Sequence, residues 1–159
     1  DGESYWDGGC AGNPSLMPLI VDSPADDLLL VQINPLERER LPKSADDILD
    51  RINEVTFNAS LLKELRTIAL LQQVIADEKK PGHHYRQHLF ERLRSLRVHL
   101  LDGGASLGAL GAASKTNTQW SFLTQLHDLG RTAAAQWLDD HGQALGKRSS
   151  FDLSRMLAP

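Results

Sequence analysis

The chain has 159 residues, which is enough for one domain with a sizeable hydrophobic core, and 41% of them are apolar, as in ordinary globular proteins. Its net charge of -4 argues against a protein whose main partner is nucleic acid. No apolar run approaches the roughly 18 residues that a transmembrane helix needs, and the single cysteine excludes an internal disulfide and favours a reducing, cytoplasmic compartment.

The first segment combines a short strand-like run with a glycine-rich turn. Residues 4–6 predict the end of a strand. Asp7 comes next and is followed by Gly8 and Gly9. These glycines permit positive φ angles and close approach of the backbone. An asparagine and a proline then predict the start of a short helix over residues 14–20. The pattern therefore predicts a carboxylate at the mouth of a strand–loop–helix connection, where open α/β sheets carry their chemistry.

The next elements are a strand and the start of a helix. Residues 28–35 form a short apolar run between turn residues, which is typical of a buried strand in a parallel sheet. Pro35 ends that strand because it has no N–H for the ladder, and residues 36–43 predict an exposed loop. Ser44 and Asp47 have the spacing of a capping box, so a helix is expected to begin there.

Helical periodicity continues through the middle of the chain. Ile48, Ile52 and Val55 recur at intervals of three and four residues and predict an amphipathic face. Residues 61–77 keep this period until the stop signals at residues 79–82. The pattern leaves open whether these segments are one bent helix or two.

The region that follows is expected to contain the last strand. Residues 83–91 are ambiguous, with a short helix as one interpretation, whereas residues 93–101 alternate and predict a strand. His99 inside that strand is expected to be a hydrogen-bonded core residue. Residues 102–113 contain four glycines and predict a loop.

A long helix dominates the predicted C-terminal region. It begins after a cap at Asn117 or Thr118, and a last short helix follows Ser150 over residues 151–157. The apolar face of the long helix contains Trp120, Leu123, Leu126, Leu129, Ala133, Trp137 and Leu138. Three short strands beside long helices predict an α/β layer fold, dominated by helix and with few parallel strands.

The stretch YWDGGCAGNP at residues 5–14 resembles the Asp-Gly-Gly/Ala block of the patatin-like phospholipases, lipid acyl hydrolases that use a Ser-Asp dyad. Residues 51–66 and the segment around residues 114–123 are similar to a bacterial branch of the same family. The resemblance covers nearly the whole chain, but only the first block is specific for chemistry.

The resemblance implies that residues 1–159 are the C-terminal portion of a single hydrolase domain with a partial three-layer fold. Asp7 would be the catalytic base, and Gly8 and Gly9 would form its supporting loop. The nucleophilic serine and the oxyanion loop would lie in an N-terminal part of the same enzyme, together with further strands of the sheet. The implied substrate is a lipid or acyl ester, met by transient contact with a membrane surface, and no metal or organic cofactor is implied.

Three other interpretations concern single motifs. Asp7 as a structural turn residue would make the chain a non-enzymatic helical interaction module. Residues 104–108 match Gly-x-Ser-x-Gly, so a hydrolase that uses Ser106 is an alternative, although the surrounding glycines argue against a nucleophile elbow. The three histidines of residues 83–88 include a pair with metal-ligand spacing, but a solvated helix end is favoured.

Overall fold

The computed structural model of the chain describes residues 2–10, 12–37, 41–78 and 88–157. Its helices are α1 (Leu16–Asp22), α2 (Ala45–Asp77), α3 (His88–Ser95), α4 (Gly104–Gly108) and α5 (Trp120–His141). Its strands are β1 (Asp27–Gln32) and β2 (Arg97–Asp102), and short 3₁₀ turns cover Gly8–Cys10, Ala112–Thr116, Gly142–Ala144 and Leu153–Leu157. This part of the chain is therefore mixed α/β and dominated by helix, as the sequence predicts at that coarse level.

Contacts divide the chain into two compact units. The first unit contains Asp1–Asp26, Thr56–Leu96 and Asp152–Pro159, and the second contains Asp27–Val55 and Arg97–Phe151. Helix α2 contributes its first eleven residues to the second unit and the rest to the first unit.

The sheet belongs to the second unit and consists of β1 and β2 in parallel, with Leu30 opposite Leu100. β1 confirms that the apolar run contains a strand, but the strand ends at Gln32 instead of Pro35, and it is buried on only one side. Side chains alternate along the pleat, so Leu30 and Gln32 are buried whereas Leu29 and Val31 are exposed. Helix α5 packs against β2, and the Trp137 indole N–H donates to the carbonyl of Leu100 at 2.8 Å.

Helix α2 begins as its capping box predicts. The amide of Asp47 donates to Ser44 Oγ at 3.1 Å, and the amide of Ser44 donates to Asp47 Oδ2 at 3.2 Å. The helix then continues without interruption to Asp77, so the two predicted segments are one helix. The predicted stop signals at residues 79–82 lie outside the described residues.

The first unit has its own apolar core between α1, the second part of α2 and α3. Leu16 and Ile20 of α1 are buried, and α1 packs against α3. The other buried apolar side chains of this unit are Leu61, Leu65, Ile68, Ala69, Ile75, Leu93, Leu96 and Leu153. A stripe of leucine and isoleucine at helical spacing is what allows α2 to bury one side here.

The strand predicted over residues 93–101 begins four residues before the observed strand β2. Residues up to Ser95 are the end of α3, and β2 starts only at Arg97. The side-chain amide of Gln72 donates to the carbonyls of Leu93 and Leu96, at 2.8 and 3.1 Å. These bonds satisfy carbonyls at the helix end, so tertiary contact overrides the alternating pattern.

Predictions for the first residues and for the C-terminal third of the chain were also wrong in detail. Residues 4–6 form no strand, since no described segment pairs with them. The predicted loop at residues 102–113 contains α4, and the last helix is a 3₁₀ turn. Of the predicted apolar face of α5, only Trp137 is buried, whereas Trp120, Leu123 and Leu138 are exposed.

Candidate functional site

Asp7 stands on an exposed turn of the first unit. Its Oδ1 atom accepts the amide hydrogen of Gly9 at 2.9 Å, while Gly12 N–H donates to the carbonyl of Gly8 at 3.1 Å. A Cβ atom added at Gly9 would lie only 3.3 Å from Asp7 Oδ1, so glycine leaves room for this turn. The turn thus presents an exposed carboxylate next to a 3₁₀ segment, and such a carboxylate can accept a proton from a hydroxyl group within reach.

A second cluster, in the second unit, joins three residues that sequence reasoning did not bring together. The buried ring of His99 bonds to Ser150 Oγ through Nδ1 and to Asp27 Oδ1 through Nε2, each at 2.9 Å. This confirms that His99 is a hydrogen-bonded core residue. An ionised carboxylate only accepts hydrogen bonds, so a neutral His99 carries its proton on Nε2 and accepts the Ser150 hydroxyl at Nδ1.

The acid of this cluster is held in its ionised form. Arg97 donates to Asp27 from Nε at 3.0 Å and from Nη2 at 2.9 Å, so the two side chains form a bidentate ion pair. The Gly146 amide also donates to Asp27 Oδ1, at 3.1 Å. The hydrogen bonds from Arg97, then those from His99 and Gly146, hold the pKa of the Asp27 carboxyl well below its ordinary value, against the opposing effect of burial.

The cluster has the residue types of a Ser-His-Asp triad, but its contacts serve to hold the chain together. We call Asp27, Arg97, His99 and Ser150 the clamp. The Phe151 amide, which follows Ser150, donates to the carbonyl of Val98 at 3.1 Å and is therefore not available to an oxyanion. Ser149 Oγ accepts the Val98 amide hydrogen at 3.1 Å. The Trp137 ring meets the His99 ring edge to face at 5.9 Å. The contacts therefore tie the segment after α5 to the two-stranded sheet.

Ser106 lies in a separate cleft of the second unit, near the carboxyl end of β2. The cleft has a volume of about 440 Å³, and its polar lining includes Asp102, Ser106, Asp140 and His141. Asp102, Asp140 and His141 line the same cleft, but among the described residues no side chain is hydrogen-bonded to the Ser106 hydroxyl. The prediction of a glycine-rich loop is wrong here, because Ser106 lies within α4 despite the surrounding glycines.

The histidines with metal-ligand spacing are only partly described. His83 and His84 lie outside the described residues, and His88 is the first residue of α3. Within the described ranges, no group of three or more His, Cys, Asp or Glu side chains is arranged to hold a metal ion. No helix in these ranges combines the length and the apolar character needed to cross a bilayer.

No protein-family model, no curated protein and no solved structure matches this chain.

Proposed function

We propose that this chain is part of a patatin-like lipid acyl hydrolase with a Ser-Asp dyad, in which Asp7 is the general base. The observation that carries the proposal is the exposed Asp7 carboxylate on its glycine turn, held by the Gly9 amide at 2.9 Å. This bond uses one face of the carboxylate and restricts its direction, while the exposed side chain stays open to a reacting partner.

In the proposed reaction, the nucleophilic serine belongs to a segment of the enzyme N-terminal to Asp7. Asp7 accepts the proton of the serine hydroxyl as its oxygen attacks the ester carbonyl. The alcohol of the lipid then leaves with that proton, and an acyl-serine ester remains. Water hydrolyses the ester in a second step, in which Asp7 again accepts a proton and returns it to the serine oxygen.

The outward side of β1 supports the presence of a further layer over the sheet. Leu29 and Val31 are 44% and 69% exposed, and Ile33 just beyond the strand is 71% exposed. His99 of β2, which lies opposite Leu29 on the same face, is already buried against Trp137 of α5. Parallel sheets are normally covered on both faces, because strands of this composition are apolar on both sides. A three-layer hydrolase domain, completed by a segment outside these residues, would cover the part of this face that β1 leaves exposed.

An interaction module without catalytic activity is the second candidate. The Asp7–Gly9 bond is also the one that a structural aspartate makes in a turn. In addition, Ile48, Ile52 and Val55 form an apolar stripe on α2 that is about half exposed along its length. Such a stripe is suited to packing against an amphipathic helix of a partner.

The rate of ester hydrolysis by the intact enzyme distinguishes the hydrolase from the interaction module. Asp7→Asn should lower turnover of a p-nitrophenyl ester and of a phospholipid by about 100-fold or more. Asp77→Asn, at the exposed end of α2, is the matched control and should leave turnover unchanged. Full activity of Asp7→Asn would refute the role of the base and favour the interaction module.

A further inference from the structure

The loop that carries Asp7 leads into α1, a helix of only seven residues. Helices this short are unstable in isolation, because nucleation is costly and few hydrogen bonds follow it. The N-cap residue Ser15 makes no side-chain bond to the helix start. Whatever holds α1 in place must therefore come from other parts of the first unit, and this support also fixes the point at which the Asp7 loop enters the helix.

The start of α1 is held by a carboxylate from α2. Glu64 Oε2 accepts the amide hydrogens of Leu16 and Met17, at 2.6 and 3.1 Å. These are two of the amides that a helix leaves without an internal partner. The half-buried Glu64 also puts a negative charge at the positive end of the helix dipole.

The opposite end of α1 is held by a guanidinium group from α3. Arg92 donates from Nε to the carbonyl of Ile20 at 3.2 Å, and from Nη2 to the carbonyls of Ser23 and Ala25 at 2.6 Å each. Its Nη1 donates to Asp26 Oδ1 at 2.7 Å. A positive charge thus lies where the helix carbonyls point, which is the favourable end for a cation.

The loop also passes close to the face of α2 that carries Glu64. A Cβ atom added at Gly12 would lie 3.2 Å from Ser15 Oγ and 3.7 Å from Ser60 Oγ. Ser60 and Glu64 are four residues apart on α2 and so share one face of the helix. This face is therefore the surface on which the segment from Gly12 to the start of α1 rests.

We propose that Glu64 is a positioning residue for Asp7, acting through the start of α1, and that Arg92 completes the support from the other end. As far as catalysis is concerned, this inference rests on the proposed function. Glu64 touches neither substrate nor reacting atoms in this proposal. Its charge holds α1, and α1 fixes the direction from which the loop presents the carboxylate.

The first test measures the support itself and needs no activity. Amide hydrogen exchange of the 159-residue chain is followed by NMR for Leu16 and Met17. Glu64→Gln keeps the size of the side chain but loses its charge, and should speed exchange at both amides by at least about 10-fold. Glu78→Gln, just beyond the end of α2, is the matched control and should leave both rates unchanged. Unchanged exchange in Glu64→Gln would overturn the proposal.

The second test is the kinetics of the intact hydrolase. Glu64→Gln should lower kcat for a p-nitrophenyl ester by about 10-fold with KM nearly unchanged, because binding is kept while the base is misdirected. Glu64→Asp keeps the charge on a shorter side chain and should recover part of kcat. Faster exchange at Leu16 with wild-type kcat would refute positioning, whereas wild-type kcat in Asp7→Asn would instead refute the proposed function.

Discussion

Replacing Asp27 tests how strongly the clamp around His99 holds the sheet. Asp27→Asn keeps a carbonyl oxygen for His99 but removes the charge that Arg97 and His99 share. Losing the partly exposed ion pair should cost about 0.5–1 kcal/mol. Weakening a charge-assisted bond to the buried His99 should cost about 1 kcal/mol more. The free energy of unfolding should therefore fall by about 2 kcal/mol, a large part of the 5–15 kcal/mol typical of a domain.

Asp27→Ala should be more damaging, because it leaves the buried Nε2–H of His99 without an acceptor. An unsatisfied buried donor costs about 1–3 kcal/mol in addition. Urea denaturation at pH 7, followed by circular dichroism, should therefore rank wild type above Asp27→Asn and Asp27→Ala last. Asp128→Asn on the exposed surface of α5 is the matched control and should change stability by less than about 0.5 kcal/mol.

The pH dependence of the free energy of unfolding also tests the role of Asp27. Arg97 and His99 hold the pKa of Asp27 below its ordinary value in the folded state, so protons bind the unfolded chain first as the pH falls. The stabilisation from Asp27 is therefore fully present above about pH 4 and decreases below it, by at most about 1.4 kcal/mol per pH unit. The difference in the free energy of unfolding between wild type and Asp27→Asn should therefore become smaller as the pH falls below about 4. Equal stability at pH 7, or a difference that stays constant down to pH 2, would refute this reasoning.

Three further predictions concern catalysis and local structure. The purified 159-residue chain should not hydrolyse a p-nitrophenyl ester, and turnover that Ser106→Ala abolishes would contradict this. Asp7→Asn should change the free energy of unfolding by less than about 0.5 kcal/mol, since Asp7 is exposed, and thermal denaturation checks it. Ser44→Ala should cost about 1 kcal/mol in urea denaturation, because it removes the side-chain acceptor for the Asp47 amide, and a loss below about 0.3 kcal/mol would contradict the capping role.

The parts of the fold that the sequence predicts are those determined by residues close together in the chain. The apolar run of β1 lies between turn residues, and the capping box of α2 lies within four residues. By contrast, the switch from α3 to β2 depends on Gln72, which reaches Leu93 across 21 positions of the chain. The alternating pattern in a short window does not contain that information, so it predicts a strand that begins about one helical turn before β2.

The same distinction applies to the two candidate sites. The turn at Asp7 could be predicted because its chemistry is contained in three consecutive residues, whereas the catalytic role of Asp7 stays a prediction. His99 is 72 residues from Asp27 and 51 from Ser150, so only the folded chain brings the three together. The sole local signal was a histidine inside an apolar strand. This signal predicts a buried polar partner without identifying it.

The support of α1 shows why a local motif is not sufficient to build the proposed site. The Asp7 turn supplies a carboxylate, but a turn and a seven-residue helix do not hold a fixed direction without outside contacts. That direction depends on Glu64 and Arg92, which belong to α2 and α3 and have opposite charges matched to the two ends of α1. If Asp7 is the base of a hydrolase, its chemistry is specified by the turn and its geometry by these two distant side chains. Substitutions of Glu64 or Arg92 that keep the fold should then lower kcat without touching the turn, which separates a positioned catalytic carboxylate from a turn aspartate.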